Sequence, residues 1–290
     1  MLNLGIIFAI VAMLSWAVGD FMIQRSTRRF GNWETLFVIT FFGVLILLPF
    51  VWKDLPILFY GNFDTMKILL LSGGIITLAA MLEFESLREG KLSIIEPIWS
   101  LEIPASVLFS YIFIGEHITG LQILLILAII LGLMSLSFKG GKVTARHFLE
   151  RGARLAVVAA VFMGAADFML GFSGRMTNAF MTNFVACFVM ALVSGVYLVY
   201  KGRMQSMIRD VRHHPKFILG MSIADNIAWV AFVSAMGLAP IGIVVALTES
   251  YIIFTVLLGV FVNKEKLIRH QVFGLVLALI SAITLAIVTV

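Results

Sequence analysis

Seven carboxylates lie within the long apolar stretches of this sequence, where the other residues are mostly aliphatic, aromatic or small. A charge at the centre of a lipid bilayer costs about 2.5 kcal/mol or more, so we expect these side chains to face a protein interior or water. No Lys or Arg lies clearly inside the same stretches to pair with them. Because an unpaired ionised carboxylate is costly there, we expect protons to bind to some of them. The residues are Asp20, Glu83, Glu96, Glu102, Asp167, Asp225 and Glu249, with Glu85 at the edge of a stretch.

Two prolines accompany the acidic residues of one stretch. Pro97 and Pro104 are seven residues apart, which places them on the same face of a helix. Each removes a backbone donor and frees a nearby carbonyl, so we predict a hinge or a site lining. The alternative is a passive kink.

A third candidate group combines polar and aromatic side chains at helical spacing. Ser222, Asp225, Asn226 and Trp229 lie on one face of a predicted helix. This arrangement suits a substrate cavity with an aromatic wall. Ordinary hydrogen bonding between packed helices explains it equally well.

The composition indicates that lipid surrounds most of the chain. Of the 290 residues, 61% are hydrophobic and 13% are charged, and the mean hydropathy is +1.07. A soluble domain is nearer half apolar and a quarter charged. The net charge of +5 comes from basic residues between the apolar stretches, so we expect no nucleic-acid partner. With a single cysteine, Cys187, a disulfide within the chain is excluded.

Ten stretches are long enough to span a bilayer, which takes about 20 apolar residues as a helix. The first five are Leu2–Ile23, Trp33–Trp52, Met66–Leu82, Leu92–Ile114 and Ile118–Phe138, and the second five are Leu155–Phe172, Phe180–Tyr200, Phe217–Met236, Ile241–Val262 and Val272–Val290. We number them spans 1 to 10. The predicted organisation is a first unit over 1–140, a linker over 141–152 and a second unit over 153–290.

The loops differ sharply in basic residues. Those after the odd-numbered spans contain 18 Lys and Arg, against three in those after the even-numbered spans. The positive-inside rule makes the odd-numbered loops cytoplasmic and places both termini outside the cytoplasm. We expect a multi-pass protein of the plasma or inner membrane.

The two units share sequence landmarks. Gly19-Asp20-Phe21-Met22 in span 1 corresponds to Ala166-Asp167-Phe168-Met169 in span 6, 147 residues later. Glu116 and Gln122 recur 149 residues later as Glu265 and Gln271. Because each unit has five spans, the second unit must enter the membrane from the opposite side. Such inverted repeats are typical of transporters that work by alternating access.

The residues from Leu101 to Leu136, with Glu102, Pro104, Gly115-Glu116, Gln122 and Gly132, resemble the closing segment of an EamA repeat. The second copy, from Thr248 to Leu285, is similar but lacks the proline and the Gly-Glu pair. The resemblance, to the drug/metabolite transporter superfamily, implies ten helices around a central cavity and export or exchange of small metabolites. Characterised relatives are usually described with cytoplasmic termini, so the basic-residue distribution departs from the family here.

The acidic residues take opposite positions in the two units. Asp20 and Glu96 lie toward the odd-loop side of the membrane, Asp167 and Glu249 lie toward the even-loop side, and Glu102 is nearer the midplane. We predict that these residues form two gates or proton-relay points. Interfacial positions or neutral hydrogen bonding are the alternative.

Enzymatic functions fit the sequence poorly. Gly171-Phe172-Ser173-Gly174 matches the GxSG of intramembrane serine proteases, but all five histidines lie in or beside loops. Asp20 and Asp167 are outside any GxGD sequence, and no nucleotide-binding loop is present. We therefore expect no catalysis, cofactor or metal site.

The sequence thus predicts an all-α integral membrane protein of ten helices, two inverted five-helix repeats around a central cavity. The predicted function is proton-coupled secondary transport of small metabolites such as amino acids, amines or amphipathic drugs. The acidic interior disfavours anions, which would require Lys or Arg. A non-transporting scaffold or sensor would have a dry, packed centre, and a translocator of lipid-linked substrates would open laterally. The predicted substrate and proton site comprises Asp20, Glu96, Glu102, Asp167, Asp225, Asn226, Trp229 and Glu249.

Overall fold

A computed structural model describes residues 4–56, 63–89, 98–137, 150–254, 256–257 and 267–289. All regular structure in these ranges is helical. The helices are α1 (Leu4–Phe30), α2 (Asn32–Val51), α3 (Phe63–Glu89), α4 (Glu102–Ile114), α5 (Gly120–Ser137), α6 (Arg151–Met176), α7 (Ala179–Tyr200), α8 (Met204–His213), α9 (Pro215–Met236), α10 (Ile241–Thr248) and α11 (Arg269–Val288).

Seven helices in the described ranges are long and apolar enough to cross a membrane. Three shorter apolar segments, Leu4–Gly19, Glu102–Ile114 and Ile241–Phe254, coincide with the predicted spans 1, 4 and 9. The chain is therefore an all-α, multi-pass membrane protein, and the count of ten crossings stays a prediction. Helix α8 lies where the sequence suggested only a loop. It is short and carries basic residues, and Met207 is its buried residue.

Large apolar side chains cover the outside of the bundle. Leu124 and Leu131 on α5 and Phe273 and Ile280 on α11 are each about 60% exposed. In water such a surface would be unfavourable, whereas in a bilayer it contacts acyl chains. This outward-facing surface accounts for the high hydropathy of the chain.

The core of the bundle is the interface between the two units. Helix α1 packs on α9 and α3 packs on α6, while α2 packs on α7, α5 on α11 and α4 on α10. Two further contacts, of α4 with α6 and of α1 with α10, also join the units. Helices α1, α2, α3, α4 and α5 of the first unit correspond to α6, α7, α9, α10 and α11 of the second. Under this correspondence some contacts join corresponding helices, as α2 with α7 does. The others occur in equivalent pairs: α1 with α9 is equivalent to α3 with α6, and α4 with α6 is equivalent to α1 with α10.

Two glycines from the repeated sequence allow α5 and α11 to cross at close range. A Cβ on Gly132 would lie 2.7 Å from the backbone nitrogen of Ala278 and 2.8 Å from the carbonyl oxygen of Gly274. A Cβ on Gly274 would lie 2.6 Å from the carbonyl oxygen of Gly132. Small residues permit such backbone approach in membrane helices, where packing replaces the hydrophobic effect as the driving force.

Two repeated glutamines tie the same helices together. The Oε1 atom of Gln122 accepts from the Thr119 amide at 2.9 Å, and that of Gln271 accepts from the Ile268 amide at 3.2 Å. The Nε2 atom of Gln271 also donates to the Leu136 carbonyl on α5 at 3.0 Å. Each glutamine therefore satisfies a backbone donor at the start of its own helix. Gln271 in addition satisfies a carbonyl near the end of the neighbouring helix.

Replacing Gly132 by Val will separate α5 from α11, because its side chain would meet backbone atoms and the Cβ of Ala278, none of which can rotate away. We expect a loss of about 1–3 kcal/mol in the free energy of unfolding, the usual cost of overpacking. Gly74→Val on α3 is the matched control, since a Cβ there meets nothing within 4 Å. Thermal unfolding midpoints in detergent provide the measurement. Equal midpoints for the two variants would contradict the close crossing.

Candidate functional site

Glu102 and Asp167 meet where α4 crosses α6. Gly164, one turn before Asp167, has no side chain, and a Cβ there would lie 2.7 Å from the Glu102 carbonyl oxygen and 2.8 Å from the Ser106 nitrogen. This close crossing brings the first turn of α4 against Asp167, and the two carboxyl groups are hydrogen-bonded to each other. Asp167 is 2% exposed. The pairing joins the two units, whereas the sequence suggested acidic pairs within each unit.

Two more glutamates surround this pair. Glu249, just after α10, and Glu83, on α3, are near enough to Glu102 for their charges to interact. We call Glu83, Glu102, Asp167 and Glu249 the acidic cluster. A small cavity lies beside it, with room for about one water molecule. The cavity is lined by Glu83, Trp99, Glu102, Ala159, Ala160 and Met163.

The bond between Glu102 and Asp167 has a chemical consequence. An ionised carboxylate only accepts hydrogen bonds, so two carboxyl groups can bond to each other only when one of them carries a proton. Two acids arranged in this way can share a proton between them. Within the described chain, the buried Asp167 Oδ2 and the indole Nε1 of Trp99 have no hydrogen-bond partner. Both atoms are free to bond water or a polar group of a ligand.

The acidic pair belongs to the repeat. The offset of 147 residues that relates Asp20 to Asp167 also relates Glu102 to Glu249. Helix α4 contacts α6, and the corresponding helices α10 and α1 contact each other as well. Asp20 lies on α1, but its side chain is outside the described part of the structure.

Comparison with known proteins identifies the family and the fold of the chain. The model of the EamA-like transporter family matches residues 3–138 and again residues 150–287. The chain belongs to the EamA-like transporter family. A crystal structure of another protein superposes with a TM-score of 0.77 at 14% identity, covering 98% of this chain and 97% of that one, so the two share a fold. No curated protein sequence matches the chain significantly.

Asn226, a predicted site residue of this EamA protein, contacts helices outside the acidic cluster. Its Nδ2 donates to the Ser222 carbonyl at 2.8 Å and to the Ile39 carbonyl on α2 at 3.5 Å. The thiol of Cys187 on α7 lies 3.7 Å from its Oδ1. A Cβ on Gly43 would lie 2.5 Å from the same oxygen, so α2 also packs directly on this amide. These contacts join helices, which was the alternative interpretation of this face.

Trp229 turns toward α1 and forms part of an aromatic group. Its ring is 5.0 Å from that of Trp16 in an edge-to-face arrangement, and Trp16 is also 5.0 Å from Phe232 and 6.4 Å from Tyr251. Trp16 is one turn before Asp20, and Tyr251 is two residues after Glu249. The aromatic group therefore lies close in sequence to the repeat-related acidic residues. Asp225 is 8% exposed, and its charge is near the Cys187 thiol.

The remaining predicted site residues are Glu96, Pro97 and Pro104. Glu96 and Pro97 lie outside the described residues. Pro104 is exposed in the first turn of α4, where a missing amide hydrogen leaves no bond unmade. The first described turn of α4 therefore tolerates Pro104 without a kink, and the hinge role stays a prediction.

Several polar contacts of this EamA chain were not predicted as site features. Glu116 pairs with Arg175 and Glu34 pairs with Arg203, and each pair joins the two units. The recurrence of Glu116 as Glu265 was a sequence signal for the first pair, and Arg175 has a counterpart of its type in Arg28. Glu83 was expected to face the interior as a carboxylate in an apolar stretch, but neither it nor Trp99 has a counterpart of its type in the other unit that would have marked it as a site residue.

Asp167→Asn will keep the contact with Glu102, because an amide group can accept a hydrogen bond from a protonated carboxyl group and can also donate one to an ionised carboxylate. Asp167→Ala removes the partner and leaves the Glu102 carboxyl unsatisfied, which we expect to cost about 1–3 kcal/mol in the free energy of unfolding. Thermal unfolding in detergent compares the two variants. If Asp167→Ala is as stable as Asp167→Asn, the hydrogen bond contributes nothing to the fold.

Proposed function

We propose that this EamA-family protein is a secondary active transporter of small molecules, working by alternating access with protons as the coupling ion. The observation that carries the proposal is the hydrogen-bonded pair of Glu102 and Asp167 in the interface between the units. A buried acid pair is costly in a membrane protein, so its presence favours a functional role. Binding and releasing a proton in the interface that moves during transport is such a function.

The packing of the two units supports an inverted repeat. Contacts between the units occur in corresponding sets, such as α1 with α9 and α3 with α6. In an inverted repeat the two units exchange conformations, which opens a central site to each side of the membrane in turn. By the repeat, Glu249 and Asp20 are equivalent to Glu102 and Asp167. Each of the two conformations would then have an equivalent acidic pair.

The chemistry of the cluster favours cationic or zwitterionic substrates with an apolar part. Ammonium groups bind to carboxylates, and aromatic rings such as Trp99, Trp16 and Trp229 attract cations to their faces. Amino acids, amines and amphipathic drugs have these properties. Neutral amphipathic compounds fit the same surroundings when the acids are protonated. Anions would meet repulsion from Glu83 and Glu249.

A non-transporting scaffold or sensor is the second candidate. It predicts a dry, closely packed centre, and the two best-formed cavities of the described residues each hold about one water molecule. A scaffold gives no reason for four acidic side chains to converge between the units. An occluded state of a transporter combines both features, since its site is closed to each side.

Proteoliposomes under an imposed pH gradient test the proposal. We expect uptake or release of amphipathic cations, such as tetraphenylphosphonium, or of members of an amino-acid and amine panel. Asp167→Asn and Glu102→Gln should each reduce gradient-driven flux by about tenfold or more, because each variant replaces one of the two acids that exchange a proton at this site by an amide that cannot. Asp64→Asn is the matched control, since Asp64 is an exposed residue paired with Lys67 outside the cluster.

Two results would reject the proposal. Undiminished pH-driven flux in Asp167→Asn would show that the cluster does not couple protons to transport. Failure of every compound in the panel to move, with the protein folded in the vesicles, would favour the scaffold.

The orientation that we propose follows from the basic loops and places both termini outside the cytoplasm. Alkaline phosphatase fused after Val290 is therefore expected to be active in a bacterial host, whereas a green fluorescent protein at the same position should be dark. Fusions after Gly202, in a loop with several basic residues, should give the opposite result. A fluorescent fusion after Val290 would contradict this orientation.

A further inference from the structure

Glu116 connects the turn between α4 and α5 to the start of α10. Its Oε2 atom accepts a hydrogen bond of 2.8 Å from the amide of Ile241, the first residue of α10. The residue before, Pro240, provides no side-chain cap for this helix. A carboxylate at a helix N-terminus satisfies an unpaired amide and interacts favourably with the helix dipole. Glu116 thus caps a helix 125 residues away in the sequence.

Arg175 holds the same carboxylate from the end of α6. One guanidinium nitrogen, Nη2, is 2.6 Å from Glu116 Oε1 and donates to the Ala239 carbonyl at 2.9 Å. Its Nε donates to the Met236 carbonyl at 2.7 Å. We call this arrangement of Glu116 and Arg175 the clamp. Hydrogen bonds between charged groups are about twice as strong as neutral ones, so the clamp firmly joins α4, α6 and the turn before α10.

The clamp lies at one end of the bundle and a second ion pair lies at the other. Arg203 Nε is 2.7 Å from Oε1 of Glu34, which is buried at the start of α2. Helix α7 begins just after Arg175 and ends just before Arg203. Its 22 residues span about 33 Å, so the two ion pairs are separated by about the thickness of a membrane. Both join the first unit to the second.

Helix α10 connects the clamp to the acidic cluster. It starts at Ile241, which Glu116 caps, and Glu249 follows its last residue. Eight residues of helix extend about 12 Å, so Glu249 lies about that far from the clamp along α10. All eight residues of α10 are buried, and the helix contacts α1, α4, α5, α6, α9 and α11. Access to the cluster from the clamp end therefore requires α10 or its neighbours to move.

Both clamp residues stand in repeated sequence. Asp20 is followed by Ser26 and Arg28, and Asp167 is followed at the same distances by Ser173 and Arg175. Glu116 recurs as Glu265. The clamp is thus built from residues that both units carry, and the side chains of Arg28 and Glu265 lie outside the described part of the structure.

We propose that the clamp is the closure of this transporter at its end of the bundle, and that it must separate for the acidic cluster to become accessible from that side. The proposal rests on the alternating-access function proposed above. It makes Glu116 and Arg175 positioning residues: they hold α10, and α10 carries Glu249 to Glu102. When the clamp separates, α10 loses its cap and the units can part at this end.

Cysteine accessibility measures this opening without a known substrate. Val245 lies one turn from Ile241 and is 1% exposed. In a Cys187→Ser background, Val245→Cys is treated with a membrane-impermeant methanethiosulfonate in proteoliposomes. Adding Glu116→Gln removes the ion pair but leaves an oxygen that can accept from Ile241. We expect labelling of Val245→Cys to become about tenfold faster or more, because the closed state loses a charge-assisted bond.

Glu34→Gln is the matched control for this experiment. It removes the ion pair at the opposite end and should leave the labelling of Val245→Cys from the clamp end unchanged. Equal labelling rates with and without Glu116→Gln would overturn the proposal. An equal acceleration by Glu34→Gln would also overturn it, since the effect would then reflect general loosening. Size-exclusion profiles of all variants verify that they are folded.

A cross-link tests the same point by replacing the ion pair with a covalent connection. Glu116→Cys and Arg175→Cys in the Cys187→Ser background are joined by a short bifunctional methanethiosulfonate. We expect tetraphenylphosphonium flux to fall to background and to recover on reduction, whereas undiminished flux would show that the clamp need not separate. If the parent protein moves no compound, the proposed function fails, while the labelling experiment still decides whether the clamp closes this end.

Discussion

The cost of a carboxylate in hydrocarbon is the constraint on which the rest of this structure depends. Asp167 is almost fully buried within a membrane-spanning helix, so its acid needs a polar partner inside the protein. Glu102 is that partner, and it comes from the other unit of the chain. Gly164 makes the contact possible because it lets α6 approach the first turn of α4. The acidic site and the packing of the units are therefore one feature.

Apart from the acids, the residues that recur in the two copies have three physical roles. Gly132 and Gly274 permit a close helix crossing, and Gln122 and Gln271 satisfy backbone groups at helix ends. Glu116 caps α10 and also forms an ion pair with Arg175. None of these residues belongs to the acidic cluster. The repeated sequence thus encodes the frame that brings the acids together as well as the acids themselves.

Much of the fold could be predicted from the sequence. Long apolar stretches indicate helices in a membrane, and the recurrence of residues at a fixed offset indicates a duplicated unit. The family and the membrane location follow from the same signals. The partner of Asp167 could not be predicted, since it depends on which face of α6 meets α4. Asn226 and Trp229 were expected to line one cavity because they share a face of their helix. They contact different helices, α2 and α1, which the sequence does not reveal. Helix α8 was missed because it is short, polar and flanked by basic loops.

The crossing of α5 and α11 has a mechanical consequence. Where helices touch through side chains, those side chains can change rotamer and let the helices slide. At Gly132 and Gly274 the backbones themselves are in contact, so this joint has no such compliance. Because α5 and α11 come from different units, we expect them to form a stiff strut at the edge of the bundle. Any rocking of the units would then pivot on this strut, with the largest displacements at the helices farthest from it.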